Sequence, residues 1–210
     1  ADAIVIRHPL EGAARLASES TELPVINGGD GSNQHPTQTF LDIYTIKKHM
    51  GRLDELTFAF IGDLQYGRTV HSLVETLINF SPRIYLVSPP SLSLPNYIID
   101  ELRERNIFFK EAGDILEVDD KIDIIYATRI QKERFPDRME YEKVQNAYLL
   151  DMATLGKLKS SPAIMHPLPR CSEINVDVDR YPGSLYFDQA HNGVKVRMAL
   201  LALLMGGDNA

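Results

Sequence analysis

The chain has 210 residues, of which 44% are hydrophobic and 24% are charged, and its formal net charge is −7. This acidic balance argues against a nucleic-acid-binding surface, which needs clustered basic charge. The single cysteine, Cys171, excludes an intrachain disulfide and a thiolate metal cluster, and it fits a reducing cytoplasm. The longest apolar stretch, residues 198–205, is too short to span a bilayer, so we expect no membrane partner.

The N-terminal quarter of the chain predicts two short strands and a long helix. Apolar runs of strand length cover residues 3–6 and 24–26. A helix is predicted over residues 36–50, because Pro36 suits a first helical turn and Gly51 suits the position after a helix. The apolar stripe of this helix consists of Phe40, Leu41 and Tyr44, with Ile43 beside it.

From Gly51 onward the chain predicts a second α/β unit, because strand-length apolar runs alternate with helical periodicity as in βαβ units. Strands are predicted over 56–61, 83–87, 107–110, 123–128 and 163–165. Helices are predicted over 67–80, 95–105, 151–158 and 190–205. The first of these helices has one apolar face, formed by Val70, Leu73, Val74, Leu77 and Ile78.

We therefore predict an α/β fold, in which a Rossmann-like parallel sheet flanked by helices joins part of a second α/β domain. The predicted boundaries place the tail of one domain and a linking helix in residues 1–50, a whole domain in 51–189, and a final helix in 190–210. Because the chain starts just before a strand-like run and without an initiator methionine, we expect that more sequence precedes it.

Five of the apolar runs lead into residues that bind anions or handle protons. These residues are Arg7, His35, Arg68, Arg129 and His166. In an open parallel sheet the carboxyl ends of the strands lie on one edge, where ligands bind. If the five runs are neighbouring parallel strands, the five side chains converge on one cleft, and the chain is an enzyme for small, negatively charged substrates.

Five motifs in order along the chain carry a family resemblance. They are Arg7-His8-Pro9 with Glu11-Gly12-Ala13, then DGSNQHPTQ (30–38), GDLQYGRTVHS (62–72), TRIQKER (128–134) and HPLPR (166–170). Each motif alone is a weak signal, but their order and spacing together resemble the catalytic chains of the aspartate carbamoyltransferase family. The resemblance covers essentially the whole chain.

The resemblance implies that this chain is the C-terminal two thirds of such a catalytic chain. The family has an N-terminal Ser-Thr-Arg-Thr-type phosphate loop, and a serine- and lysine-bearing loop that enters the neighbouring subunit's site; neither has a counterpart here. Residues 1–50 would be the C-terminal part of the carbamoyl-phosphate domain, 51–189 the aspartate-binding domain, and 190–210 a helix returning toward the first domain. Without the phosphate loop, we predict that the isolated chain has no substantial carbamoyltransferase activity.

The reaction that the resemblance implies is carbamoyl transfer from carbamoyl phosphate to L-aspartate, early in pyrimidine synthesis. It requires no cofactor and no metal, because donors aimed at the developing charge carry most of the effect. The implied catalytic residues are Arg7 and His35. The implied ligands of carbamoyl phosphate are Arg7, His35, Gln38 and the backbone of Leu168 and Pro169, and those of aspartate are Arg68, Arg129 and Gln131. The family also implies a homotrimer with shared sites, in some members joined to a regulatory chain.

The local chemistry of several of these residues points the same way. His35 directly precedes a helix N-terminus, where the helix dipole lowers the imidazole pKa and favours a neutral donor. Arg68 lies in a first helical turn, where a cation is disfavoured unless an anion is bound beside it. Arg129 and Gln131 lie on the same side of an extended segment. His166 is expected to set the shape of the loop that follows it rather than to contact substrate.

Three alternatives remain open at this point. An ornithine carbamoyltransferase shares several of these motifs, but that relative typically has a cysteine where Pro167 stands, and Arg129 would repel a cationic side chain. A dinucleotide-binding dehydrogenase is disfavoured, because residues 62–67 lack the G-x-G-x-x-G spacing. A non-catalytic binding fragment is the third alternative, since the phosphate loop is missing.

Overall fold

The computed structural model describes residues 1–31, 33–130, 139 and 148–206, and its strands form two separate parallel sheets. The strands are β1 (Ile4–His8), β2 (Val25–Asp30), β3 (Thr57–Ile61), β4 (Arg83–Val87), β5 (Phe108–Ala112), β6 (Ile124–Ala127) and β7 (Ala163–Met165). The described helices are α1 (Ala13–Ser18), α2 (Pro36–Met50), α3 (Arg68–Leu77), α4 (Asn96–Glu104), α5 (Met152–Leu155) and α6 (Tyr186–Leu204). The predicted α/β fold class is confirmed.

The larger sheet has the strand order β5-β4-β3-β6-β7. The chain runs outward from β3 to β5 and then crosses to the other side of β3 for β6 and β7, so the strand order reverses between β3 and β6. Doubly wound sheets bind ligands at the carboxyl ends of the strands beside such a reversal. Ile61 and Ala127 are the last residues of β3 and β6 and are paired with each other, so the loops that follow both strands start side by side.

Apolar side chains cover both faces of this sheet. Alternate residues of β3 point to opposite faces, so Phe58 and Phe60 join one buried cluster while Ala59 and Ile61 join another. The predicted apolar face of α3 lies in the first cluster and is buried, at Val70, Leu73, Val74, Leu77 and Ile78. The strands of this sheet are thus held on two sides by packing.

In the described part of the chain, the smaller sheet consists of β1 and β2. The five apolar runs therefore do not form one row of neighbouring strands: β3, β6 and β7 are neighbours, whereas β1 and β2 form their own sheet, in the part of the chain predicted to belong to a second α/β domain. Helix α2 contacts both β2 and α3 and so links the two sheets. Strand β1 is only partly covered, and Val5 is 66% exposed.

Helix α2 has the predicted bounds but buries an unexpected face. It runs from Pro36 to Met50, and Gly51 follows with a φ of 72°. The predicted apolar stripe is not the buried face, since Phe40 and Tyr44 are exposed. The buried residues are mostly polar: Thr37, Gln38, Thr39, Leu41, Asp42, Thr45 and Ile46. Polar side chains can be buried here because β6 and α6 supply hydrogen-bond partners, which helical periodicity does not reveal.

Helix α6 packs along α2 and begins at Tyr186, before the predicted start at residue 190. Asn192 Nδ2 donates to Thr45 Oγ1 at 3.0 Å. Near the end of α2, Lys48 Nζ lies 2.8 Å from Asp188 Oδ2. Within the described part of the chain, no helix is both long enough and apolar enough to cross a membrane.

Candidate active site

One cleft of about 320 Å³ lies where residues from both sheets meet, beside the carboxyl ends of β3 and β6. The structure brings together most of the predicted site residues there: Arg7, His35, Gln38, Arg68, Arg129, Leu168 and Pro169. Gln131 lies outside the described residues. The roles of these residues stay predictions, but their convergence is a property of the fold.

Arg68 joins the two sheets at this cleft. It is the first residue of α3, and its Nη1 donates to the carbonyl oxygen of Gly31 at 2.7 Å. Its guanidinium also lies over Gly29, where an added Cβ would be 3.1 Å from the guanidinium carbon. Gly29 has a φ of 117°, a conformation that favours glycine. The end of β2 and the loop after it therefore hold the guanidinium, through close contact at Gly29 and a hydrogen bond to Gly31.

Arg129 follows a strand end that is tied to β3. The backbone N–H of Thr128 donates to Ile61 at 2.9 Å, and its hydroxyl donates to the carbonyls of Ile61 at 3.2 Å and Asp63 at 3.3 Å. Gly62 has a φ of 112°, and a Cβ there would overlap with the Thr128 carbonyl oxygen. This close approach fixes the backbone from which Arg129 reaches the cleft.

The loop between β2 and His35 is organised by one buried carboxylate. Asp30 accepts four hydrogen bonds of 2.9–3.1 Å, from the backbone N–H of Gly12 and Gln34 and from the side chains of Asn27 and Asn33. Burial alone would raise the pKa of Asp30, but these hydrogen bonds outweigh it and lower that pKa to about 2. The ionised carboxylate therefore holds together the loop that leads to His35.

His35 is a neutral imidazole among guanidinium groups. Burial, and after it the positive charges of Arg68, Arg7 and Arg197, together lower the pKa of His35 to about 4. At neutral pH the ring is uncharged and can donate one N–H. The predicted lowering of this pKa is present, but its causes are burial and neighbouring charge, whereas the prediction was based on the helix dipole.

The His166–Pro169 loop forms another wall of the cleft and is shaped by His166, as predicted. His166 Nδ1 accepts the N–H of Leu168 at 2.8 Å, and Nε2 lies 2.8 Å from Glu173 Oε1. Because Nδ1 must accept, the ring proton is on Nε2 and is donated to Glu173. Leu168 has a φ of 53°, which a leucine rarely adopts, so this local bond holds a specific loop conformation.

Arg197 is a site residue that the sequence analysis missed. It lines the cleft from α6, far along the chain from the other cations. An added Cβ at Gly193 would overlap with its Nη1, so the guanidinium lies where Gly193 has no side chain. The signal in the sequence is a glycine four residues before an arginine, a spacing that places both on one helix face.

The cleft is strongly cationic although the chain is acidic overall. Its lining includes Arg7, Arg68, Arg129 and Arg197, and no carboxylate is found among the described lining residues. Guanidinium groups bind carboxylate and phosphate oxygens in a forked geometry. Of the described residues, no group of three or more His, Cys, Asp or Glu could hold a metal ion. The fold and the cleft define a doubly wound α/β protein whose cationic cleft is suited to small anions.

Comparison with known families agrees with this description. Residues 1–48 match the carbamoyl-phosphate-binding domain of aspartate/ornithine carbamoyltransferases, and residues 54–204 match their aspartate/ornithine-binding domain. The chain belongs to the aspartate/ornithine carbamoyltransferase family. This membership leaves the dinucleotide-binding alternative without support.

The chain is similar to several catalytic subunits of aspartate carbamoyltransferase. It is 56% identical over 98% of its length to the one from Thermococcus onnurineus, of which it spans 66%. Among solved structures, it superposes on the Methanocaldococcus jannaschii catalytic subunit with a TM-score of 0.91 at 54% identity, covering 100% of this chain and 68% of that one. With the Trypanosoma cruzi enzyme bound to N-(phosphonacetyl)-L-aspartic acid, the TM-score is 0.88 at 37% identity, with coverage of 96% and 65%.

Proposed function

We propose that the polypeptide containing this chain transfers the carbamoyl group of carbamoyl phosphate to L-aspartate, giving N-carbamoyl-L-aspartate and phosphate in pyrimidine biosynthesis. The observation that carries the proposal is the cleft that is lined by the neutral imidazole of His35 together with Arg7, Arg68, Arg129 and Arg197. Both substrates are anions, so each needs cationic ligands, and the two repel each other unless such ligands lie between them. The T. cruzi relative has been solved in complex with carbamoyl phosphate and aspartate.

The chemistry needs fixed donors more than it needs a nucleophile from the protein. The aspartate amine nitrogen forms a bond to the carbamoyl carbon, and the bond from that carbon to the phosphate oxygen breaks, its electron pair leaving with phosphate. The amine proton passes to the departing phosphate, a base that the reaction itself supplies. Negative charge develops on the carbamoyl oxygen, and we assign Arg7 and the N–H of His35 to that oxygen.

The remaining residues are assigned to binding. Arg68 and Arg129 are proposed to bind the two carboxylates of aspartate as forked donors. The carbamoyl NH₂ group needs acceptors, and we assign these to Gln38 and to the backbone carbonyls of Leu168 and Pro169. In this proposal residues 1–50 serve carbamoyl phosphate and residues 51–189 serve aspartate. We also propose that the native polypeptide forms a homotrimer, so its sedimentation should give three times the monomer mass.

Aspartate fits this cleft better than ornithine does. Ornithine carries a cationic side chain, which would need a carboxylate or a similar acceptor. The described lining residues include none, and Arg129 would repel a cation. Aspartate instead presents a second carboxylate to that guanidinium.

Replacing Arg129 tests the proposed function. In the native polypeptide that carries this chain, Arg129→Ala should raise the KM for aspartate and lower kcat, with a combined loss in kcat/KM of about 10²–10³. Binding of carbamoyl phosphate should stay within about threefold, because other residues hold it. Steady-state kinetics with each substrate varied in turn measures both effects.

The matched control is Arg103→Ala, which removes an exposed arginine of α4 that lies outside the cleft and pairs with Asp100. This variant should keep wild-type kinetics. Equal losses for both substrates in Arg129→Ala would contradict the assigned role. Turnover of ornithine but not aspartate by the unmodified native polypeptide that contains this chain, or no turnover of either, would overturn the proposed function itself.

A further inference from the structure

Asp42 is a fully buried carboxylate, with 0% exposure, at the centre of the contact between α2, β6 and α6. Its Oδ1 accepts from Gln38 Nε2 at 2.9 Å and from Gln189 Nε2 at 2.6 Å, and its Oδ2 accepts from the Tyr126 hydroxyl at 2.8 Å. All three of these donors are neutral. The chemistry described above makes no use of this group.

A buried carboxylate with neutral partners is costly unless its hydrogen bonds are well formed. Burial raises the pKa of Asp42 to about 7, even though its hydrogen bonds to Gln189, Tyr126 and Gln38 oppose that rise. An apolar residue at this position would avoid the cost. The presence of a carboxylate here therefore calls for an explanation in terms of the groups that it holds.

The groups that Asp42 holds lead to two different walls of the cleft. One is Gln38, which lines the cleft directly. The other is Gln189, whose Oε1 accepts the backbone N–H of His166 at 2.8 Å. His166 in turn accepts the N–H of Leu168 through Nδ1 at 2.8 Å. One carboxylate is thus connected by hydrogen bonds to Gln38 and to the His166–Pro169 loop.

The geometry also determines how the two carboxamides are turned. An ionised carboxylate can only accept, so when Asp42 is ionised both glutamines must present their NH₂ groups to it. This leaves the oxygen of Gln189 to receive the His166 N–H. If residue 42 were apolar, either carboxamide could flip and exchange the positions of its oxygen and nitrogen atoms. A flipped Gln189 would no longer present an acceptor to the His166 N–H.

We propose that Asp42 is a positioning residue for the transfer reaction: it holds Gln38 directly, and the His166–Pro169 loop through Gln189, in the arrangement that receives the carbamoyl group. The proposal rests on the proposed function, since Gln38 and this loop are the groups assigned to the carbamoyl NH₂. Asp42 acts through other residues and does not itself contact substrate.

Two variants at this position separate the effect of losing the hydrogen-bond acceptors from the effect of losing the charge. Asp42→Leu removes every acceptor, and in the native polypeptide it should raise the KM for carbamoyl phosphate and lower kcat, each by about 10- to 100-fold, because small displacements of site groups have effects of this size. The KM for aspartate should change by less than about threefold, since the described hydrogen-bond partners of Asp42 include neither Arg68 nor Arg129. Asp42→Asn keeps Oδ1 for both glutamines and should restore kinetics to within about fivefold of wild type.

The control is Thr45→Val, which changes another fully buried polar residue less than one turn further along α2. Thr45 Oγ1 accepts from Asn192 but connects to no residue of the cleft in the described structure. This variant should lower stability without changing either KM or kcat.

Gln189→Met is the second test variant, because it breaks only the branch to the loop. It should raise the KM for carbamoyl phosphate and keeps the test decisive if Asp42→Leu does not fold.

Amide hydrogen exchange supplies a readout that does not depend on turnover. Exchange at His166 and Leu168 should be at least about tenfold faster in Asp42→Leu and in Gln189→Met than in wild type, and unchanged in Thr45→Val. Unchanged exchange in both test variants would overturn the positioning role, whether or not the protein is active. Wild-type kinetics in Asp42→Leu would also overturn it. Absence of transfer activity in the unmodified native polypeptide would overturn only the proposed function, and the exchange result would still decide the positioning role.

Discussion

The two sheets bring residues to the same cleft by different means. In the five-stranded sheet every residue of β3 is buried, and Arg68 and Arg129 follow strands that apolar layers hold on both faces. In the two-stranded sheet β1 is partly exposed, and the loop leading to His35 is held by hydrogen bonds to Asp30. Substitutions that weaken the larger sheet should therefore unfold the protein. Substitutions that weaken the smaller sheet should change the geometry of the cleft before they unfold the protein.

The largest expected effect is a difference in stability between the sheets. Phe60→Ala creates a cavity at a side chain with 0% exposure in β3 and should lower the free energy of unfolding by about 3–5 kcal/mol. Val5→Ala changes an exposed side chain of β1 and should cost less than about 0.5 kcal/mol. Urea unfolding followed by circular dichroism measures both. Similar losses in the two variants would show that the smaller sheet is also held by packing.

A smaller effect is expected at Asp30. Asp30→Ala leaves four donors without their acceptor and should lower stability by about 1–3 kcal/mol, with Asn33→Ala as a control that removes only one exposed donor. The pKa of Asp30 is lowered from 3.8 to about 2, so its contribution is present above pH 4 and is lost as pH falls through 2. The stability difference between wild type and Asp30→Ala should shrink over that range. A difference that is independent of pH would show that the ionised carboxylate does not hold this loop.

The smallest expected effect is the change of one pKa. His35 should titrate near pH 4 in the folded protein, as followed by ring ¹⁵N chemical shifts. Arg197→Met removes one of the three neighbouring guanidinium charges and should move the pKa of His35 part of the way back toward 6.5. Arg103→Ala, far from the ring, should leave it unchanged. A titration near 6.5 in the wild-type protein would mean that the ring is neither buried nor close to these charges.

The sequence predicted the bounds of the helices better than it predicted which helix faces are buried. Pro36 and Gly51 marked both ends of α2, and helical periodicity identified the buried face of α3, because these signals are local to the backbone. The same periodicity failed for α2, where Phe40 is exposed and Asp42 is buried. A pattern of apolar residues indicates one face of a helix, but it cannot indicate a polar face that other elements cover.

The sequence by itself determined the α/β class and the set of arginines and histidines that follow the strands. The reason is that the ends of strands and the starts of helices depend on residues that are close together in the chain. Only the tertiary structure decided that a polar face of α2 is buried, that Arg197 joins the cleft, and that burial keeps His35 neutral. The physical reason is that burial, charge and hydrogen-bond partners come from elements distant in the chain. Asp42 shows this most clearly, since two of its three partners, Tyr126 and Gln189, come from β6 and α6, far away in the chain.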